Sequence, residues 1–135
     1  MLQPKKPKYR KQFRTGAKVI ASRGTSLAFG DYGLKSLGYA RLSGSQIEAA
    51  RRAITHFTRR GGKVWIRVFP DKPMTAKPAG VGMGAGKGDL KGYVAVITPG
   101  RVIFEVAGVP REVGQEALLR AAHKLPMKTK FMVKE

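Results

Sequence analysis

The sequence contains no cysteine, and its acidic residues are few: 8 Asp and Glu stand against 27 Lys and Arg. The absence of cysteine excludes disulfide bonds, thiolate metal sites and cysteine nucleophiles. No apolar run approaches the roughly 18 residues of a membrane span, and the N-terminus lacks the apolar core of a secretory signal. The 2 His and the scattered carboxylates form no catalytic or metal-binding pattern. The sequence therefore predicts no enzyme, no cofactor, no metal site and no membrane partner.

Positive charge is what the chain has in excess, with a formal net charge of +19 over 135 residues. Confining so many like charges in a small volume is unfavourable unless a polyanion neutralises them. Nucleic acid is the commonest such partner, and each Lys or Arg that neutralises a phosphate releases a counterion. Solubility alone usually needs a net charge of only about 2–8 in a small domain. The charge therefore favours a nucleic-acid-binding protein over a merely soluble basic surface.

Residues 1–23 form a basic segment without acidic residues, since the first acid is Asp31. This composition is typical of an arm that is disordered when free and orders on a polyanion. Its aromatic residues Tyr9 and Phe13 either stack on unpaired bases or anchor the arm to the core of the domain. The candidate RNA-binding residues of the arm are Lys5, Lys6, Lys8, Arg10, Lys11, Arg14 and Arg23.

The clearest element is a helix that we expect to begin at a capping box of Ser45 and Glu48 and to end at glycines 61–62. Its apolar face recurs at helical spacing and consists of Ile47, Ala50, Ile54 and Phe57. Four arginines lie off that face, namely Arg51, Arg52, Arg59 and Arg60. The helix dipole accounts for the two at the C-terminal end but not for the other two. We therefore expect this surface to contact phosphates rather than only solvent.

The remaining pattern indicates short strands and one further helix. Strands are expected at residues 19–21, 27–29, 63–69, 93–98, 101–107 and 127–133, the fourth and fifth forming a hairpin at Pro99 and Gly100. The strand over 63–69 alternates strictly, so one of its faces mixes aromatic rings with cations. The second helix is expected to begin at Pro110 and to end at Pro126. Helices mixed with antiparallel hairpins predict an α+β fold in a single domain over residues 1–135.

A glycine-rich loop is expected over residues 74–92, inserted between strands. Glycine at this density packs neither a helix nor a strand, and a long loop inside a compact domain is usually functional or disordered. The loop fails the Walker A pattern because Gly86 and Lys87 are followed by Gly88, which has no hydroxyl for magnesium. It also fails the dinucleotide fingerprint, since Lys87 stands where the third glycine belongs. A phosphate-ester enzyme is therefore the least favoured alternative.

Five stretches in order along the chain resemble the bacterial-type large-subunit ribosomal proteins numbered sixteen, a family with archaeal and eukaryotic counterparts. They are Met1–Lys5 with Tyr9–Lys11, Phe29–Lys35, Gln46–Arg52, Lys63–Pro73 and Leu125–Thr129. The resemblance covers essentially the whole chain. It implies an α+β fold with a hammerhead-like β element and a structural role in the large ribosomal subunit, in the cytoplasm of a bacterium or in an organelle.

The resemblance also implies partners, which are large-subunit rRNA, neighbouring ribosomal proteins and tRNA in the aminoacyl site. Whether tRNA in the peptidyl site is also a partner is an open alternative. Lys35 and Arg67, within matching stretches, complete the rRNA-binding candidates. The family's glycine-rich loop lies near the acceptor ends of tRNA and corresponds here to Lys77–Gly88. Its candidate residues are Lys77, Gly82, Met83, Gly84, Gly86, Lys87 and Gly88.

This loop departs from the family at two positions. Many bacterial members carry Arg immediately before the Met of the loop and another basic residue after Met-Gly. Here Gly82 and Ala85 stand at those positions, so any tRNA or RNA contact that the family makes through basic side chains there is not expected of this chain.

The alternative function is a free-standing basic RNA or DNA chaperone without a fixed ribosomal site.

Overall fold

A computed structural model describes residues 24–59, 61–76 and 89–134. The elements in chain order are β1 (Tyr32–Ser36), β2 (Ala40–Ser43), α1 (Gly44–Thr58), β3 (Lys63–Ile66), β4 (Lys72–Ala76), β5 (Asp89–Ile97), β6 (Val102–Ala107), α2 (Arg111–Ala122) and β7 (Thr129–Val133). The predicted α+β class is confirmed; the second helix and the final strand are present, but α2 ends at Ala122 rather than Pro126 and β7 begins at Thr129 rather than Met127. The strand predicted at residues 19–21 and the basic arm over 1–23 lie outside the described residues.

The strands form two antiparallel sheets, with orders β3-β6-β1-β7 and β2-β5-β4. In the first sheet, Leu34 of β1 lies opposite Phe104 of β6 and Phe131 of β7. These residues face the helices and pack in the main core. Because side chains alternate between the faces of a sheet, Trp65 of β3 and its partner Glu105 of β6 lie on the other face. The first sheet therefore presents an apolar face to the helices and a mixed face away from them.

Two helices cover the apolar face of the first sheet and supply the rest of the core. The residues that they bury are Gly44, Ile47, Ala50 and Ile54 of α1 and Gly114, Ala117, Leu118 and Ala121 of α2. Gly114 permits the close approach of α2 to the sheet, because a Cβ atom there would lie 2.9 Å from Cδ2 of Tyr32. Neither helix in the described ranges is long and apolar enough to cross a membrane.

The predicted hairpin over residues 93–107 is wrong, although its turn at Pro99 and Gly100 exists. β5 pairs with β2 and β4, whereas β6 pairs with β1 and β3, so the two strands belong to different sheets. The backbone around the turn is bonded to β1: Ser36 N–H donates to the carbonyl of Arg101 at 2.8 Å, and Gly100 N–H donates to the carbonyl of Ser36 at 2.8 Å. β5 and β6 are consecutive along the chain, but pairing with strands distant in sequence places them in different sheets.

The glycine-rich loop is shorter than the predicted 74–92. Both of its ends belong to paired strands, because β4 and β5 stay paired as far as Ala76 opposite Asp89. Pro73 is compatible with β4 because β4 is an edge strand, where proline is tolerated. β3 likewise ends at Ile66 rather than at Phe69. Residues 77–88, the remainder of the predicted loop, lie outside the described residues.

Residues 24–31 form a loop, so the strand predicted at Leu27–Phe29 is wrong. The backbone N–H groups of Ala28, Phe29 and Gly30 donate to one carboxylate oxygen of Glu105, at 3.0, 2.9 and 2.8 Å. Consecutive residues of a strand point to opposite sides. Three consecutive donors that converge on one oxygen therefore require an irregular backbone.

Candidate nucleic-acid interface

Helix α1 begins at a capping box, but not at the predicted one. The Ser43 hydroxyl accepts the N–H of Gln46 at 3.2 Å, and the Gln46 side-chain oxygen accepts the N–H of Ser43 at 3.0 Å. This reciprocal pair satisfies two N–H groups that a helix start leaves without partners. The predicted box of Ser45 and Glu48 is therefore wrong by two residues. Glu48 lies further along the helix and pairs with arginines instead.

Glu48 holds two of the predicted phosphate-binding arginines on the outer surface of α1. Arg51 forms an ion pair with it, and Arg52 Nε lies 3.4 Å from its Oε1 atom. The hydrogen bond from Arg51 outweighs the effect of burial and lowers the pKa of Glu48, while the same bond raises the pKa of Arg51. The Arg52 side chain is 76% exposed and that of Arg51 36%. Arg52 is thus open to a phosphate, whereas Arg51 is oriented by the carboxylate.

The C-terminal end of α1 comes earlier than the predicted glycines 61–62, because the helix ends at Thr58. Arg59 caps it in the left-handed conformation, with φ 54° and ψ 40°. This conformation costs a residue other than glycine about 1–2 kcal/mol. The Arg59 N–H donates to the carbonyl of His56 at 3.3 Å. The exposed Arg59 side chain therefore lies just beyond the last turn, where the helix dipole favours a cation.

Helix α2 contributes cations that the sequence pattern did not indicate. The guanidinium of Arg120 lies 4.6 Å from the ring centroid of Phe57 on α1, and its Nε atom lies 3.3 Å from Oε1 of Glu116. Arg120 therefore covers the one residue of the predicted apolar face of α1 that is only partly buried. His123 and Lys124 follow at the end of α2 and are exposed. The spacing Arg120-x-x-His123-Lys124 at a helix C-terminus is the signal that could have identified them.

Two adjoining grooves bring these side chains together and share His56 and Arg59. The first has a volume of about 600 Å³ and is lined by Arg51, Arg52, Thr55, His56 and Arg59. The second, of about 610 Å³, lies between the helices and adds Ala53, Phe57, Arg120, His123 and Lys124. None of the described residues that line these grooves is acidic. We call Arg51, Arg52, His56, Arg59, Arg120, His123 and Lys124 the helical basic surface.

The chemistry of the helical basic surface is that of anion binding. Guanidinium groups present fixed, forked donors that match phosphate oxygens, and ammonium groups act as point charges. Within the ranges that the structure describes, no group of three or more His, Asp or Glu side chains is arranged to hold a metal ion. The surface can therefore position a polyanion by its charge and its shape.

Two predicted rRNA-binding residues lie away from this surface. The Arg67 side chain is 19% exposed and pairs with the buried carboxylate of Glu105. Lys35 lies in β1 opposite Lys130 of the edge strand β7. The predicted residues outside the described ranges are Lys5, Lys6, Lys8, Arg10, Lys11, Arg14, Arg23, Arg60, Lys77, Gly82, Met83, Gly84, Gly86, Lys87 and Gly88. The structure thus brings together Arg51, Arg52 and Arg59 of the predicted set.

Similarity to known proteins extends over nearly the full chain. The family described as Ribosomal protein L16p/L10e matches residues 4–132. The chain is 56% identical over 134 residues to the large ribosomal subunit protein uL16 of Parabacteroides distasonis, an alignment that covers 99% of this chain and 93% of that protein. It is 55% identical over 134 residues to the large ribosomal subunit protein uL16c of Porphyra purpurea, covering 99% and 96% of the two chains.

Proposed function

The chain belongs to the Ribosomal protein L16p/L10e family, and from that membership we propose that its helical basic surface binds ribosomal RNA through phosphates. Membership makes the chain a structural constituent of the large ribosomal subunit rather than an enzyme, with rRNA and neighbouring ribosomal proteins as partners. The convergence of arginine and lysine side chains from two helices, around grooves whose described lining has no acid, carries the proposal.

The arrangement suits recognition of RNA by shape. A-form RNA is recognised largely through its phosphates and 2′-hydroxyls, because side chains cannot read its deep, narrow major groove. Glu48 orients Arg51 while Arg52 stays open, and Phe57 supports the guanidinium of Arg120. Part of the cost of ordering these long side chains is therefore met before RNA binds. The surface holds RNA in a fixed geometry and catalyses no reaction.

The salt dependence of binding tests the surface. In the Arg52→Ala/Arg59→Ala variant, the slope of log affinity against log salt falls by about one unit for each phosphate that the variant no longer neutralises. The measurement is binding of the full chain to large-subunit rRNA fragments at several salt concentrations. An unchanged slope would remove the helical basic surface from the RNA interface.

A charge-matched control separates a fixed site from generic attraction. The variant Lys130→Ala/Lys134→Ala removes the same formal charge from exposed positions of β7 and the residue that follows it. A fixed site predicts a smaller change in slope for this control than for the helical variant. Equal changes would show that binding depends only on total charge, without a fixed site on the helices.

We extend the proposal to two segments outside the described residues. The arm over residues 1–23 binds rRNA phosphates, and the loop over 77–88 approaches the acceptor ends of tRNA. Family membership supports both assignments. The strands that flank residues 77–88 are paired, with Ala76 opposite Asp89.

Shortening the loop tests the tRNA assignment. Replacing residues 78–87 by Asn-Gly joins the paired strands with a favoured two-residue turn, so we expect folding and rRNA binding to persist while aminoacyl-tRNA accommodation slows. A Gly/Ser segment of the same length is the matched control, because it keeps the reach of the loop and removes Met83 and Lys87. Accommodation at the normal rate in ribosomes with the short loop would contradict the assignment.

A further inference from the structure

An aromatic cluster lies on the face of the first sheet that points away from the helices. The ring of Phe29 stacks on the indole of Trp65, with centroids 6.0 Å apart and planes inclined by 20°. The guanidinium of Arg67 lies 5.3 Å from the centroid of Phe29. Phe29 is nevertheless 58% exposed. We call Phe29, Trp65 and Arg67 the aromatic platform.

A buried carboxylate holds the platform in place. Glu105 is fully buried, and its Oε1 atom accepts the N–H groups of Phe29 and both neighbouring residues. Its other carboxylate oxygen pairs with Arg67. Burial by itself raises the pKa of Glu105, but the bonds from Gly30, Arg67 and Phe29 outweigh it and lower that pKa. One ionised side chain thus fixes both the loop that carries the ring and the cation beside it.

The backbone under the platform is also tightly packed. A Cβ atom at Gly30 would lie 2.8 Å from the carbonyl oxygen of Val106 and 2.9 Å from its nitrogen. A side chain at this position would therefore clash with the backbone of β6, and glycine lets the loop lie this close. Phe29 is consequently held on a rigid support rather than on a free loop. A rigid ring loses little conformational freedom when a ligand stacks on it.

The platform adds almost no net charge, which distinguishes it from the helical basic surface. The charge of Arg67 is matched by Glu105. The exposed cation nearest along the strand is Lys63, two residues before Trp65 on the same face of β3 and thus about 7 Å away. An exposed flat ring with a cation nearby suits a flat ligand attached to an anion. A nucleotide has this chemistry, since every base has a π-face and every linkage a phosphate.

We propose that the aromatic platform stacks one unpaired RNA base on the exposed surface of Phe29, with Lys63 placed to meet the adjoining phosphate. The inference rests on the proposed function, because it assumes that the partner is RNA. It assigns base stacking to the face of the first sheet that points away from the helices, a kind of contact that the helical basic surface does not make. The helices hold the backbone of RNA, and the platform holds a base whatever its identity.

Base-free RNA provides the test. The full chain is titrated with a short single-stranded oligoadenylate and with a ribose-phosphate strand of equal length that lacks bases. The chain has a single tryptophan, Trp65, so its fluorescence reports directly on the platform. We expect the strand with bases to bind roughly 5- to 100-fold more tightly, the range of base stacking on an aromatic side chain. We also expect it to change the emission of Trp65.

Three variants locate the effect. Phe29→Ala and Phe29→Leu remove the ring, the second while keeping apolar bulk, and both are expected to abolish the preference for bases. Phe69→Ala is the matched control, because Phe69 is a phenylalanine of similar exposure, 46%, outside the platform, and the preference should survive in it. A preference that persists in both Phe29 variants would overturn the proposal.

The outcomes separate this inference from the proposed function. The salt slope of binding measures phosphate contacts and should be the same in Phe29→Ala and in the parent chain. Loss of base preference with an intact slope supports both ideas. An intact slope without any base preference in the parent chain overturns the platform alone. A slope insensitive to the Arg52 and Arg59 substitutions overturns the proposed function instead.

Discussion

Two carboxylates in this protein each hold an arginine, and their surroundings differ completely. Glu48 lies on the outer surface of α1, where its side chain is 25% exposed and pairs with Arg51 and Arg52 within about one turn. Glu105 lies inside the first sheet with no exposed surface, and pairs with Arg67 from a segment 38 residues away. A carboxylate paired with arginine thus orients exposed side chains in one region and holds together buried segments of the fold in the other.

The difference shows how the chain divides binding from folding. Exposed ion pairs contribute little to stability because water and salt screen them, so the helical basic surface can keep its charge available for a polyanion. A buried charge must be fully compensated, and Glu105 is compensated by three backbone donors and one arginine. Its hydrogen-bonding capacity is therefore committed to the protein itself, whereas Arg52, 76% exposed beside Glu48, remains open to a partner.

The largest expected effect comes from removing the buried carboxylate. Glu105→Ala leaves Arg67 and three N–H groups without their acceptor, so we expect a loss of about 3–5 kcal/mol in the free energy of unfolding. Glu48→Ala should cost at most about 1 kcal/mol. Urea titrations followed by Trp65 fluorescence measure both. Similar losses in the two variants would remove the distinction between the two regions.

The pH dependence of stability should follow the same division. The folded pKa of Glu105 lies below its ordinary value of 4.5, so the ionised form contributes stability that is complete above pH 4.5. That contribution is lost as the pH falls through the lower folded pKa. Urea titrations from neutral to acidic pH should therefore show a steeper loss of stability in the parent chain than in Glu105→Gln. Glu48→Gln is the matched control and should remain close to the parent curve.

A smaller effect is expected at the start of the helical region. Ser43→Ala removes the hydroxyl that accepts the N–H of Gln46 and should cost about 1 kcal/mol of stability. Ser45→Ala should change stability by less than about 0.5 kcal/mol, because Ser45 is exposed and lies inside the helix. Thermal unfolding of the two variants compares them directly. A larger loss of stability in Ser45→Ala than in Ser43→Ala would favour the capping box of Ser45 and Glu48 that the sequence predicted.

The smallest effect should have the opposite sign. Arg59→Gly replaces a residue in the left-handed conformation by the one that adopts it freely. It should stabilise the protein by about 0.5–1 kcal/mol, because the relieved strain exceeds the extra conformational entropy that glycine loses on folding. The same change removes a cation, so the salt slope of RNA binding should fall by about one unit. Arg59→Ala is the control, since it loses the cation without relieving the backbone. A glycine variant that is destabilised would show that the Arg59 side chain supports the helix end.

The sequence predicted the elements of the fold better than their pairing. The period of Ile47, Ala50 and Ile54 is local, so α1 was identified although its ends were displaced. Strand pairing is not local: the same β-rich residues in β5 and β6 suit either a hairpin or two separate sheets. The choice depends on which distant strands offer free N–H and carbonyl groups, and β6 pairs with β1 from more than 60 residues earlier.

The candidate site was likewise predicted in part. Arg51, Arg52 and Arg59 share a groove, because residues on one helix face are neighbours by period alone. Arg120 and Lys124 were missed, since only the packing of α2 against α1 brings them to the adjoining groove between the helices. The alternation over residues 63–69 indicated a face of aromatics and cations, but the stacking of Phe29 on Trp65 could not be anticipated. It depends on a loop that the sequence pattern assigned to a strand.

By itself the sequence determined the excess of positive charge, and with it the kind of partner. It also determined the lack of cysteine chemistry, the apolar face of α1 and the α+β class. These properties are sums over residues or periods along a few turns, and they need no knowledge of distant contacts. Only the tertiary structure decided the division of the strands into two sheets, the joining of two helices into one basic surface and the burial of Glu105 under Phe29. Each of these depends on hydrogen bonds or packing between residues far apart in sequence, whose partners no local pattern specifies.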